Sequence, residues 1–236
     1  MERIVPDELD PLDNFDSTTL KLHRDRYQFA VEHLISGSIL DVACGAGYGS
    51  YQLMSAGKLK DSRCIAMDIS PEAIDYAQNR YAHPFIQFVC KDFMEFSAQS
   101  MFDSIVSLET IEHVGTPVAF VDKLSSMLKP GGILIISAPV TPSTDGNPHH
   151  LSDFSPAGFR KLFHGRGFRE EASLLQVQPY SLMQIRSSGK NKRLAYKRKG
   201  LVRFYLDHPA VFCARIRSLL KDGFNNKYLT LALRKF

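Results

Sequence analysis

The run Cys44-Gly-Ala-Gly-Tyr-Gly49 lets backbone lie directly against a ligand, because glycine has no Cβ to hold the ligand away. Acids are spaced around it. Asp41 precedes the first of these glycines by four residues, and Asp68 follows it by 23. Asp68, at the end of a strand-like run, is placed to accept hydrogen bonds from both hydroxyls of a ribose. Asp92, in Cys90-Lys-Asp-Phe93, could receive a base amino group. Asp41 beside the turn would repel a pyrophosphate and welcome an amino group or a cation. The glycine spacing, Gly-x-Gly-x-Gly, also departs from the Gly-x-Gly-x-x-Gly of dinucleotide sites. Together these features favour a nucleoside with a cationic or amino substituent over a dinucleotide.

A second constellation is Leu108-Glu-Thr-Ile-Glu-His113. If this segment opens a helix, Glu109, Glu112 and His113 share one face at i, i+3 and i+4. An imidazole there is a general base for a hydroxyl, whose own pKa lies far above neutrality. Two carboxylates with an imidazole also suit a divalent ion such as Mg, Mn or Fe. Farther on, Asn147-Pro-His-His-Leu-Ser-Asp153 supplies His149 or His150 to close such a site. Plainer readings stand beside these: His113 as a base without metal or as a helix-start hydrogen bond, and the histidine pair as a solvated loop. Tyr48 either covers a ligand or packs on its helix.

Short apolar runs position these residues. Ser38 to Ala43, Arg63 to Asp68, Ile86 to Cys90, Phe102 to Leu108 and Ile133 to Ser137 read as strands, with Lys129-Pro-Gly-Gly132 turning into the last. Between them, Ser70-Pro71 starts a helix with an N-cap and a first-turn proline, and Pro117 to Leu128 is helical. Leu20 to Ile35 reads as a helix ahead of the first strand. Strands alternating with helices predict an α/β, doubly wound sheet with helices on both faces. Ser155 to Phe163 (helix), Phe168 to Val177 (strand) and Tyr228 to Leu233 (strand) complete a single domain spanning 1–236. Residues 1–36 form an N-terminal helical cap, and residues 178–227 form a basic and helical insert between the last two strands.

The composition, 44% hydrophobic and 23% charged, excludes disorder and collagen-like repeats. There is neither an apolar run of membrane-spanning length nor a secretory leader, and the cysteines are widely spaced. These traits lead us to expect a cytoplasmic protein with reduced thiols. The net charge is +4, yet Ala172 to Leu206 holds eight Lys/Arg and no acid, so the remainder is acidic. Such a run attracts polyanions: nucleic acid, anionic lipid headgroups or a phosphorylated substrate. Equally, it suits a solvated loop. Val211 to Leu220 is amphipathic and could lie on a membrane surface, cap a pocket or pack on its own domain.

Ile39-Leu-Asp-Val-Ala-Cys-Gly-Ala-Gly-Tyr-Gly49, Met67-Asp-Ile-Ser70, Lys91-Asp-Phe93 and Leu128-Lys-Pro-Gly-Gly132 resemble the signature of class I S-adenosylmethionine-dependent methyltransferases. The resemblance implies a seven-stranded sheet, mostly parallel, with an antiparallel last strand. It implies that Asp41, Ala43, Gly45, Gly47, Asp68, Ile69, Asp92, Phe93 and Leu108 line the cofactor. Asp41 would face its amino group, Asp68 its ribose, and Asp92 with Phe93 its adenine. His113, Glu112 and His150 are then the catalytic candidates, and Glu109, Glu112, His113 and His149 the candidate metal ligands. The Glu-x-x-Glu-His run is similar to that of metal-dependent 2′-O-methyltransferases of small-RNA ends. The opening Glu2 to Pro6, His23 to Ala30 and Asn147 to Phe154 are most similar to O-methyltransferases associated with glycan synthesis, with ubiquinone-pathway enzymes also alike. A small-molecule or glycan hydroxyl is the implied acceptor, with RNA and a non-catalytic cofactor-binding scaffold as the alternatives. The oligomeric state stays open.

Overall fold

The computed structural model describes residues 5–9, 14–59, 61–98, 100–179 and 200–236. Seven strands form one sheet in the order β3-β2-β1-β4-β5-β7-β6. The strands are β1 (Ser38–Val42), β2 (Arg63–Asp68), β3 (Ile86–Cys90), β4 (Phe102–Ser107), β5 (Leu128–Pro139), β6 (Phe168–Gln178) and β7 (Asn226–Lys235). The first five run parallel, whereas β7 lies antiparallel to both β5 and β6. This is the architecture expected from the sequence. Among the described residues no helix is long and apolar enough to cross a membrane.

The helices are α1 (Asn14–His33), α2 (Tyr48–Ser55), α3 (Pro71–Arg80), α4 (Pro117–Met127), α5 (Pro156–Lys161), α6 (Leu201–Asp207) and α7 (Pro209–Asp222). Local chemistry starts several of them. Ser70 Oγ accepts from the Ala73 N–H and Ser155 Oγ from the Gly158 N–H, each followed by proline in the first turn. Alternation along the central strands sends side chains to opposite faces. Leu134 and Ile136 join Phe93, Phe120, Leu124, Phe159 and Phe163 on one side of the sheet. Ile133 and Ile135 join Tyr27, Leu34, Leu53 and Ile74 on the other. Helices therefore cover both faces, which is why these strands read as continuous apolar runs.

The structure departs from the sequence reading in four places. Helix α1 begins at Asn14, earlier than its apolar spacing suggested. Lys129-Pro-Gly-Gly132 belongs to β5, where the pairing with β4 shifts register and Gly131 takes φ +78°. Glu109 to His113 is no α-helix: Ile111–His113 is one 3-10 turn, and Glu109 stands before it at φ +51°. Helix α6 was not anticipated. Most of the basic run, residues 180–199, lies outside the described residues.

Candidate active site

Parallel pairing brings the carboxyl ends of β3, β2, β1, β4 and β5 to one edge of the sheet, and the predicted residues gather there. The chain leaves β1 through Ala43 at φ +59° and Gly45 at φ +57°. A Cβ on Gly45 would meet nothing within 4 Å, so its open side faces space a ligand can use. Gly47 lacks a side chain for a packing reason, since a Cβ would lie 2.5 Å from that of Ala77. Gly49 is covered by the Tyr27 ring of α1, and Tyr48 packs edge-on to the same ring at 6.0 Å. The Tyr48 ring thus packs against α1.

Asp68 is held from both sides: Oδ2 accepts from the Gly45 N–H at 3.0 Å and Oδ1 from the Ser70 N–H at 2.9 Å. Each oxygen keeps a further lone pair for a ligand hydroxyl. Ile69 beside it is exposed. Asp92 caps the turn after β3 through the Met94 N–H, while the Phe93 ring lies in the core edge-on to Phe120. Leu108 is buried at the end of β4.

Asp41 has no exposed surface. Ser50 Oγ donates to its Oδ2 at 2.6 Å and the Tyr27 hydroxyl donates at 3.3 Å. Burial pushes its carboxyl up to about 7, with those hydrogen bonds opposing the rise and the charge of Asp68 adding to it. Tyr27 and Ser50 were not singled out in the sequence. Neither carries a motif, and only the packing of α1 and α2 on β1 brings them to Asp41.

At the β4 and β5 ends, Ser137 Oγ donates to Glu109 Oε1 at 2.7 Å and accepts from the Glu109 N–H at 3.0 Å. Arg26 of α1, 1% exposed, approaches the same carboxylate at 3.8 Å. Its Nε donates to Gln176 of β6 at 2.8 Å, and its guanidinium lies 4.5 Å from the centre of the Tyr228 ring. These contacts hold Glu109 in its left-handed backbone conformation, which side-chain-bearing residues adopt rarely. Arg26 and Ser137 are further residues that sequence reasoning missed.

Glu112, His113 and His150 converge: one ligand atom from each lies within 4.8 Å of the others. The loop after β5 makes this contact. Leu151 N–H donates to the Glu112 carbonyl at 2.7 Å, and the His113 and His150 rings meet edge-on at 4.7 Å. His113 Nδ1 lies 3.0 Å from the His149 carbonyl, which can only accept, so Nδ1 carries the proton and the Nε2 lone pair is the basic one. His150 Nδ1 lies 2.8 Å from Ser143 Oγ, which also lies 3.2 Å from Asp153 Oδ1. Burial, and then the charge of His113, lower His150 to about 4, so it is neutral near pH 7. Glu109 and the His149 side chain are not in this group, which the proposed helical face and the four-residue metal set had required. The 3-10 turn rotates Glu109 out of line with Glu112 and His113.

The arrangement can therefore orient a ribose at β2 and take a proton at β4 and β5. Residues 36–176 match the family model described as methyltransferase domain, and the chain belongs to that family. The chain is 34% identical over 99 residues to malonyl-[acyl-carrier protein] O-methyltransferase of Acetivibrio thermocellus, covering 42% of this chain and 34% of that protein. It is 31% identical over 130 residues to the mitochondrial ubiquinone biosynthesis O-methyltransferase of Dictyostelium discoideum, covering 50% and 40%. The chain thus spans well under half the length of either. The N-methyltransferase NodS of Bradyrhizobium japonicum WM9, solved with S-adenosyl-L-homocysteine, superposes with a TM-score of 0.58 at 18% identity, over 95% of this chain and 89% of that one. At that identity the likeness concerns the fold.

Proposed function

We propose that this chain transfers a methyl group from S-adenosylmethionine to an oxygen of a small-molecule or glycan hydroxyl. The observation that supports the reading is the 3.0 Å contact of His113 Nδ1 with the His149 carbonyl, which leaves Nε2 to act as the base. As the acceptor oxygen attacks the methyl carbon, the carbon–sulfur bond breaks and its electrons neutralise the sulfonium, leaving S-adenosylhomocysteine. The hydroxyl proton passes to His113 Nε2. Asp68 holds the ribose and Gly45 admits the methionine portion, so donor and acceptor meet in line. Arg26 and Ser137 hold Glu109 at the neighbouring ends of β4 and β5. An oxygen acceptor is consistent with the names of the two relatives cited above.

A second reading adds a divalent ion. The imidazoles of His113 and His150 with one carboxylate, Glu112, form a donor set that such ions accept. When bound, the ion would lower the pKa of an acceptor hydroxyl. Release of S-adenosylhomocysteine from a panel of sugar hydroxyls, phenols, amines and RNA ends, with and without chelator, tests both. Turnover of hydroxyl acceptors supports the proposal, and turnover of amines alone overturns it. Activity indifferent to chelator removes the ion and leaves His113 as the base. Steeply salt-sensitive turnover of RNA ends would favour the 2′-O-methyltransferase alternative.

A further inference from the structure

Helices α6 and α7 are fastened to the rest of the molecule by a polar clamp. Arg215 Nη2 and Nε donate to the two oxygens of buried Asp145 at 2.5 and 2.7 Å, and Nη2 also reaches the Pro142 carbonyl at 2.7 Å. Tyr205 donates to the same carboxylate at 2.5 Å. Asp145 belongs to the loop that carries His150, so the helix pair is attached to one wall of the candidate active site.

Beside this clamp, where Phe212 meets the Tyr205 ring edge-on at 5.2 Å, the helix pair carries exposed apolar side chains. Val202 is 77% exposed, Leu206 76% and Leu220 84%, and Phe212 and Ile216 are also exposed. Phe212, Ile216 and Leu220 recur every four residues and form one stripe along α7. Arg217 and Lys221 flank it on one side, and α6 adds the exposed side chains of Val202 and Leu206.

We propose that this face binds anionic lipid bilayers, with the apolar stripe entering the headgroup boundary and the basic residues meeting lipid phosphates and carboxylates. Charge chooses the occupant. A second copy docked face to face would set Arg217 and Lys221 of one copy against the like-charged pair of the other. Nucleic acid would engage the basic residues but give the aliphatic side chains nothing to bury against. A bilayer surface satisfies both. Docking there would present the active-site loop to an acceptor held at or near the lipid surface, and it requires no particular acceptor chemistry.

The test is co-sedimentation of the full chain with unilamellar vesicles of phosphatidylcholine alone and of phosphatidylcholine with phosphatidylserine. Partition onto the anionic vesicles should be about tenfold stronger or more, and should weaken with salt. Replacing both Arg217 and Lys221 by Gln should lower it by about tenfold. Val202→Ser, Leu206→Ser and Leu220→Ser combined should lower it by at least about tenfold. Titration with S-adenosylhomocysteine should be unchanged in both variants, which shows that they fold and separates this proposal from the catalytic one. Absence of binding to anionic vesicles overturns it. So does binding that the triple serine variant leaves intact, which would mark plain polyanion attraction. So does self-association lost in that variant without any vesicle binding, which would mark a second copy as the occupant.

Discussion

Asp41→Asn tests whether the buried carboxylate beside the glycine turn is kept for a cationic ligand at a cost to the fold. Burial raises the folded-state pKa of Asp41 from 3.8 to about 7. In the unfolded chain it ionises at the ordinary value. Between about pH 4 and 7 the folded protein therefore holds a proton that the unfolded chain has released. Stability from this group falls as pH rises through that window, and above it the folded state carries the whole cost. A shift of about three units corresponds to at most about 4 kcal/mol. Asparagine keeps the shape and an oxygen that accepts from Ser50 and Tyr27, but its amide N–H also needs a partner, which offsets about 1–3 kcal/mol. The variant should be about 1–3 kcal/mol more stable than the wild type at pH 8, and this advantage should shrink by pH 4. His150 acts in the opposite sense: lowered to about 4, it costs stability as pH falls from 6.5 to 4. The difference between the two proteins in urea unfolding, followed from pH 4 to 8, isolates Asp41. Calorimetry should show S-adenosylmethionine losing more affinity than S-adenosylhomocysteine, because only the former carries the sulfonium charge. A stability difference that does not vary with pH would refute the reasoning.

His113→Gln should lower turnover by about a hundredfold or more while cofactor affinity changes little, as expected for a general base; equal losses in both would remove His113 from the chemistry. If an ion is held, Glu112→Gln should weaken its binding in a metal titration at neutral pH, and an unchanged affinity would place the ion elsewhere. Arg26→Leu should cost about 3 kcal/mol in denaturant unfolding, because it removes the cation beside the Glu109 carboxylate and the donor to Gln176 Oε1. A loss below about 1 kcal/mol would show that the pair is not coupled.

Much of this arrangement was legible in the sequence because it is local. The five parallel strands announce themselves as short apolar runs, and Ser70-Pro71 and Ser155-Pro156 mark helix starts through chemistry within one turn. Gly45, Asp68 and Asp92 follow directly from being at strand ends. What could not be read depends on contacts far apart in the chain. Tyr27 and Ser50 meet Asp41 only through packing, and Arg26 of α1 reaches Glu109 and Gln176, 83 and 150 residues away in the chain. The 3-10 turn at Ile111 to His113 gives no periodic signal, so Glu109 was assigned to a helical face it does not share. His150, rather than His149, turns toward Glu112 and His113 because Ser143 and Asp153 orient its ring.

The most direct measurement is the dissociation constant of S-adenosylhomocysteine for the wild type and for Asp68→Ala. A carboxylate that accepts the ribose hydroxyls contributes about 1.5–3 kcal/mol for each hydrogen bond, so the variant should bind at least about tenfold more weakly. Equal affinity in the two proteins would contradict a nucleoside held at the end of β2, and the proposed methyl transfer with it.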